Sequence, residues 1–115
     1  MAKFLLLLHD SPGDFADWTP ERMQACIEQY RAWSEGLLKA GKLAGSEKLK
    51  DEGGKHLRGR NGKVEVMDGP YSEAKEVLGG LFTVHAADYD EAVEIARSCP
   101  HLENGWIEVR QIDEV

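Results

Sequence analysis

Met67-Asp68-Gly69-Pro70-Tyr71-Ser72-Glu73-Ala74-Lys75-Glu76-Val77-Leu78-Gly79-Gly80 packs turn formers, ionisable groups and a glycine pair into one connection. Asp68-Gly69-Pro70 cannot continue a helix or a central strand, because glycine gives up backbone restriction while proline fixes φ and removes a donor. A strand that ends at Met67 therefore turns here, and Ser72, Glu73 and Lys75 are held near a bend. Just upstream, residues 55–60 and 63–67 flank Asn61-Gly62, the dipeptide that favours positive φ at both centres of a two-residue hairpin turn. Lys55, His56, Arg58, Arg60 and Lys63 then read as the solvated face of that hairpin.

Further out, residues 3–9 form a strand of near-continuous apolar character, which implies burial on both faces. Thr19-Pro20-Glu21 opens a helix with an N-cap, a proline at the first helical position and an acid suited to the dipole. Met23, Ile27, Tyr30, Trp33 (or Ser34) and Leu37 recur at helical spacing up to about residue 40, and Gly41 supplies a left-handed C-terminal residue. A weaker strand follows over 42–49. Downstream of the connection come a strand at 80–86, a helix at 89–98 capped by Asp88 and striped with Tyr89, Ala92, Val93 and Ala96, and a last strand at 106–112.

This order, strand-helix-strand, an inserted hairpin, then strand-helix-strand, is the split βαβ pattern. It predicts an α+β, ferredoxin-like domain spanning residues 1–115, with a four-stranded antiparallel sheet and both helices on one face. The opposite face is left without cover, and the two-sided apolar first strand argues for a homodimer packed sheet against sheet.

Composition narrows the function. With 42% hydrophobic and 30% charged residues the chain is of globular type, and 115 residues suffice for one core. A net charge of −7 disfavours nucleic acid or an anionic membrane as partner. No apolar run approaches the roughly 20 residues of a spanning helix, and residues 5–8 are too few for a secretory segment, so a cytoplasmic protein is expected. Cys26 and Cys99 match no zinc or redox spacing and read as small buried hydrophobes.

Strand parity points to a site. Ile107 and Val109 are the natural partners of the helices, so Trp106, Glu108 and Arg110 face the helix-free side, as do Thr83 and His85. Ionisable groups gathered on one sheet face suit a small-molecule pocket. Equally, Glu108 and Arg110 can pair with each other at a solvated edge. His9, with Asp10 beside it at the end of the first strand, either lines the same pocket or is an ordinary strand histidine. The four histidines have no compact ligand spacing and no glycine-rich phosphate loop occurs, so neither a metal nor a nucleotide cofactor is expected. Gly79-Gly80 reads as a place of close backbone approach. Ser72 lacks a nucleophile-elbow pattern.

The connection resembles the signature of the YCII-related family in its DGPF-motif branch, with Tyr71 in place of the usual Phe. Cys99-Pro100-His101-Leu102-Glu103-Asn104-Gly105-Trp106-Ile107-Glu108-Val109-Arg110 resembles that family's closing motif, although Gln111 stands where a proline usually follows. The resemblance implies a dimeric α+β barrel and a His-Asp pair for acid-base work, carried over by motif position to His101 and Asp68. Imidazole titrates near neutral pH and a carboxylate fixes its tautomer. In the competing role, Asp68 caps the Gly-Pro turn through backbone N–H groups. Arg110, Glu108, Tyr71, Ser72, His85 and His9 are the candidate substrate-binding residues, with Arg110 suited to an anionic or carbonyl group. The resemblance also implies an alternative, a noncatalytic accessory module linked to a bacterial extracytoplasmic-function sigma factor.

Overall fold

A computed structural model describes residues 1–69 and 76–114. Its elements are β1 (Ala2–Asp10), α1 (Pro20–Lys39), β2 (Leu43–Lys48), β3 (Lys55–Arg60), β4 (Lys63–Asp68), β5 (Val77–Ala86), α2 (Tyr89–Arg97) and β6 (Trp106–Gln111). Single 3-10 turns at Pro12–Phe15 and Pro100–Glu103 were not foreseen from the sequence. Local chemistry accounts for the boundaries. The Thr19 hydroxyl accepts the Arg22 N–H at 3.1 Å and the Asp88 carboxylate accepts the Glu91 N–H at 2.9 Å, each filling an orphan donor at a helix start. Gly41 ends α1 at φ 73°, a left-handed conformation that glycine adopts without steric cost.

The main sheet runs β2-β5-β1-β6 with every neighbour antiparallel, the ferredoxin-like arrangement expected of split βαβ units. Phe4, Leu6, Leu8, Phe82, Val84 and Ala86 form the core with Ala92, Ile95 and Ala96 of α2, and Tyr30, Trp33 and Leu37 of α1 pack against them. Both helices therefore cover one face. Full burial of Phe4, Leu6 and Val84 contributes about 1.5–3 kcal/mol each. On the other face the register aligns Leu5, Leu7 and His9 of β1 with Arg110, Glu108 and Trp106 of β6, as parity predicts.

The structure corrects several expectations. Met23 and Ile27 are exposed, because α1 joins the core only from Tyr30 onward. In α2 Ala92 and Ala96 are buried as expected, but Ile95 joins them while Val93 faces out. Strand β5 begins at Val77, three residues early, because Val77 and Leu78 pair with Asp10 and His9 beyond a bulge. Cys99 is buried, whereas Cys26 is only partly so. No helix among the described residues is long and apolar enough to cross a membrane.

β3 and β4 form a separate two-stranded sheet, and Asn61 and Gly62 turn it at φ 51° and 77°.

Candidate functional site

The bulge between Leu8 and His9 marks where the sheet stops being only a scaffold. Leu8 pairs with Gly80 and His9 with Leu78, so Gly79 is the extra residue. A Cβ at Gly79 would lie 3.1 Å from Asp10 Oδ2, and one at Gly80 would lie 2.9 Å from the Glu47 carbonyl oxygen. The glycine pair thus permits close approach on both flanks: the Asp10 carboxyl on one, strand β2 on the other. Burial pushes the Asp10 carboxyl above its ordinary range, reinforced by Asp51 and opposed by His101, Lys48 and His9.

His101 lies in the Pro100–Glu103 turn and is only 3% exposed. Its Nε2 is 2.8 Å from the backbone oxygen of His9 and its Nδ1 is 2.7 Å from the Tyr30 hydroxyl. A carbonyl can only accept, so Nε2 carries the proton, and neutral Nδ1 accepts from Tyr30. Burial, together with nearby Cys26 and Cys99, pushes the Tyr30 phenol upward, which keeps that donor protonated. Gly105 closes over this cluster, where a Cβ would collide with the His9 oxygen and reach 2.7 Å from His101 Nε2.

The side chain of His9 points to the other face of the sheet. Its Nε2 is 3.2 Å from Glu108 Oε1, and its ring stacks on Trp106 at 4.1 Å with 9° between planes. The Trp106 indole N–H donates to Glu76 Oε2 at 2.8 Å, and Arg110 Nη1 donates to Glu108 Oε2 at 3.3 Å. An aromatic wall on one side and a carboxylate at one nitrogen fix the imidazole plane. Beside His9 opens a cleft of about 630 Å³ reached also by His56, Glu76, Leu49, Val77 and Leu78. A hollow of about 650 Å³ near Met1 and Asp113 contains none of these groups.

Three of the expected site residues, His9, Glu108 and Arg110, are thus brought together. His85 is on the same face but pairs with Lys3 at the far end of β5, seven residues from Leu78, or roughly 23 Å of strand. The expected direct pairing of Asp68 with His101 requires correction. Both His101 nitrogens are taken by Tyr30 and His9, while the Asp68 side chain, 83% exposed on β4, forms an ion pair with Lys55. Tyr71 and Ser72 lie outside the described residues. Sequence reasoning missed Tyr30, which sat in the packing stripe of α1; a buried tyrosine hydroxyl needs a partner, and that was the available signal. Among the described residues no group of three or more His, Cys, Asp or Glu side chains is placed to hold a metal ion.

The YCII-related domain model matches residues 2–115. An uncharacterised protein, R00369, of Rhizobium meliloti (strain 1021) is 29% identical over 112 residues, which cover 95% of this chain and 90% of that protein. The matched span includes the strand with His9, the helix with Tyr30 and the turn with His101, and the chain belongs to the family of YCII-related domains.

Proposed function

We propose that this chain is a small-molecule enzyme that moves a proton with His9, oriented by Glu108, in the cleft at the end of β1. The observation that carries this reading is the 3.2 Å contact between His9 Nε2 and Glu108 Oε1, with the ring stacked on Trp106. A carboxylate at one imidazole nitrogen fixes the tautomer and leaves the opposite edge for a substrate proton. Arg110 supplies positive charge near Glu108 for an anionic or carbonyl group. His101 is the positioning residue, since its N–H holds the carbonyl of the residue that carries the working imidazole. The chemistry remains the imidazole-carboxylate type that the family resemblance implies, with a different pair. Asp68-Gly69-Pro70 supports membership of the DGPF-motif branch.

We also infer a homodimer built through the helix-free face, supported by Leu5, Leu7 and Leu81 on a surface that neither helix covers. Two free cysteines suit a reducing cytoplasmic compartment.

A second reading is favoured by the contact of Arg110 with Glu108, which offsets the carboxylate charge. In it the cleft binds a metabolite without turnover, as in an accessory module of a sigma-factor system. One experiment separates the two. Short 2-oxo acids are incubated with the protein in D2O and their C–H signals followed by proton NMR, with His9→Gln and Glu108→Gln as comparisons. Exchange above buffer that His9→Gln abolishes supports the enzyme. Ligand-induced chemical-shift changes without exchange support the binding module, and exchange unchanged in His9→Gln overturns the role of His9.

A further inference from the structure

The β3–β4 arm has one apolar face. Its register opposes Leu57 to Val66 and Gly59 to Val64, so Leu57, Val64 and Val66 share a side, and they are 63%, 66% and 61% exposed. The opposite side carries His56, Arg58, Arg60, Lys63, Glu65 and Met67, of which His56 and Met67 are partly buried at the base. The arm therefore turns its apolar side away from the body. An isolated two-stranded sheet is marginally stable in water and gains independent stability by packing its apolar face. Three large aliphatic side chains in a row also exceed the single scattered hydrophobes of an ordinary surface.

We propose that this arm docks on a second copy of the chain, with Leu57, Val64 and Val66 covering apolar surface of its sheet. The inference extends the homodimer proposed above. Charge favours that occupant. Residues 55–68 carry four Lys or Arg and two Asp or Glu, a net +2, which leaves 10 basic and 19 acidic residues, a net −9, on the rest of the chain. An arm of one sign reaching a body of the other is drawn toward it. Shape agrees. The Cα radius of gyration is 16.2 Å, against roughly 13 Å for a compact chain of this length, and the molecule is 48 × 44 × 18 Å, one helix-on-sheet layer thick. The uncovered sheet face adds Leu5, Leu7 and Leu81 to the apolar surface of the same chain. A two-fold axis satisfies both surfaces at once, because each arm meets the partner's copy of one patch.

The test is sedimentation velocity over a micromolar dilution series for three proteins. They are the wild type, a triple variant with Leu57→Thr, Val64→Thr and Val66→Thr, and Leu7→Lys on the sheet face. Threonine keeps the β preference of the hairpin while removing apolar surface, and circular dichroism checks the fold. The expected result is a wild-type dimer whose Kd rises about tenfold or more in the triple variant and rises also with salt. A triple variant as tightly dimeric as the wild type, with Leu7→Lys monomeric, overturns the arm contact and leaves the sheet-face dimer standing. The reverse pattern overturns both the sheet-face reading and the sheet as the surface that the arm covers. A monomeric wild type overturns both. Hydrogen exchange of wild-type residues 55–68 supplies a readout that needs no variant: protection must rise with protein concentration, and equal protection in monomer and dimer counts against the proposal.

Discussion

His101 and His9 are 92 residues apart, and the ring N–H of one holds the main-chain oxygen of the other at 2.8 Å. Two histidines thus occupy the two sides of one strand end. The buried one fixes the backbone, and the partly exposed one presents its imidazole to the cleft. This division of labour makes the two residues separable by experiment.

Tyr30→Phe removes the only hydroxyl that meets His101 Nδ1 among the described residues and leaves a buried nitrogen without its donor. The expected loss is about 1–3 kcal/mol of unfolding free energy, the desolvation penalty of an unmade bond. Urea denaturation monitors it. A loss below about half a kcal/mol, ordinary for an exposed site, would mean that Nδ1 finds water instead.

Asp10 gives a pH dependence with a defined sign. Its carboxyl is raised by burial from the ordinary 3.8, so the fold favours the protonated form. The associated stability is fully present below pH 3.8 and is lost as pH rises through the folded-state pKa. Asp10→Asn imitates the protonated form at every pH. The variant is therefore expected to melt above wild type at neutral pH, with the difference vanishing below pH 3.8. Melting curves across that range check the sign, and a variant less stable than wild type at neutral pH reverses it.

How far the sequence could be read depends on the range of the interactions. Caps, the Asn61-Gly62 turn and strand parity are local, and parity alone put Glu108, Arg110 and Trp106 on the helix-free face. The partners of His101 come from α1 and β1, 71 and 92 residues away. Motif proximity offered Asp68 in their place, but Asp68 ends a hairpin outside the main sheet. The His9-Glu108 contact joins residues 99 apart and rests on the register of β1 against β6, which pairs His9 with Trp106 and which no periodicity reveals.

Gly62→Val tests the hairpin. Gly62 lies at φ 77°, and a β-branched residue there is strained, so the β3–β4 arm is expected to lose exchange protection while the main sheet keeps it. Lys63→Ala, at an exposed residue beside the turn, is expected to change stability by no more than about half a kcal/mol. Comparable losses from both variants would show that Lys63 has a structural role.

The stacked pair of His9 and Trp106 permits a check of the site before any substrate is known. At 4.1 Å and 9° the indole ring current shifts the carbon-bound protons of His9 upfield, away from those of His56 and His85. Trp106→Ala removes that shield and also the donor to Glu76 Oε2, so the His9 signals are expected to move downfield and broaden as the ring gains freedom. Glu108→Gln takes away the charge but leaves the stack, so the His9 signals are expected to stay upfield. The contrast matters because loss of ring orientation and loss of charge both reduce proton transfer, and only the second leaves the geometry intact. Upfield signals that persist in Trp106→Ala would show that the shielding does not come from the indole, and the stack would lose its role in setting the imidazole plane.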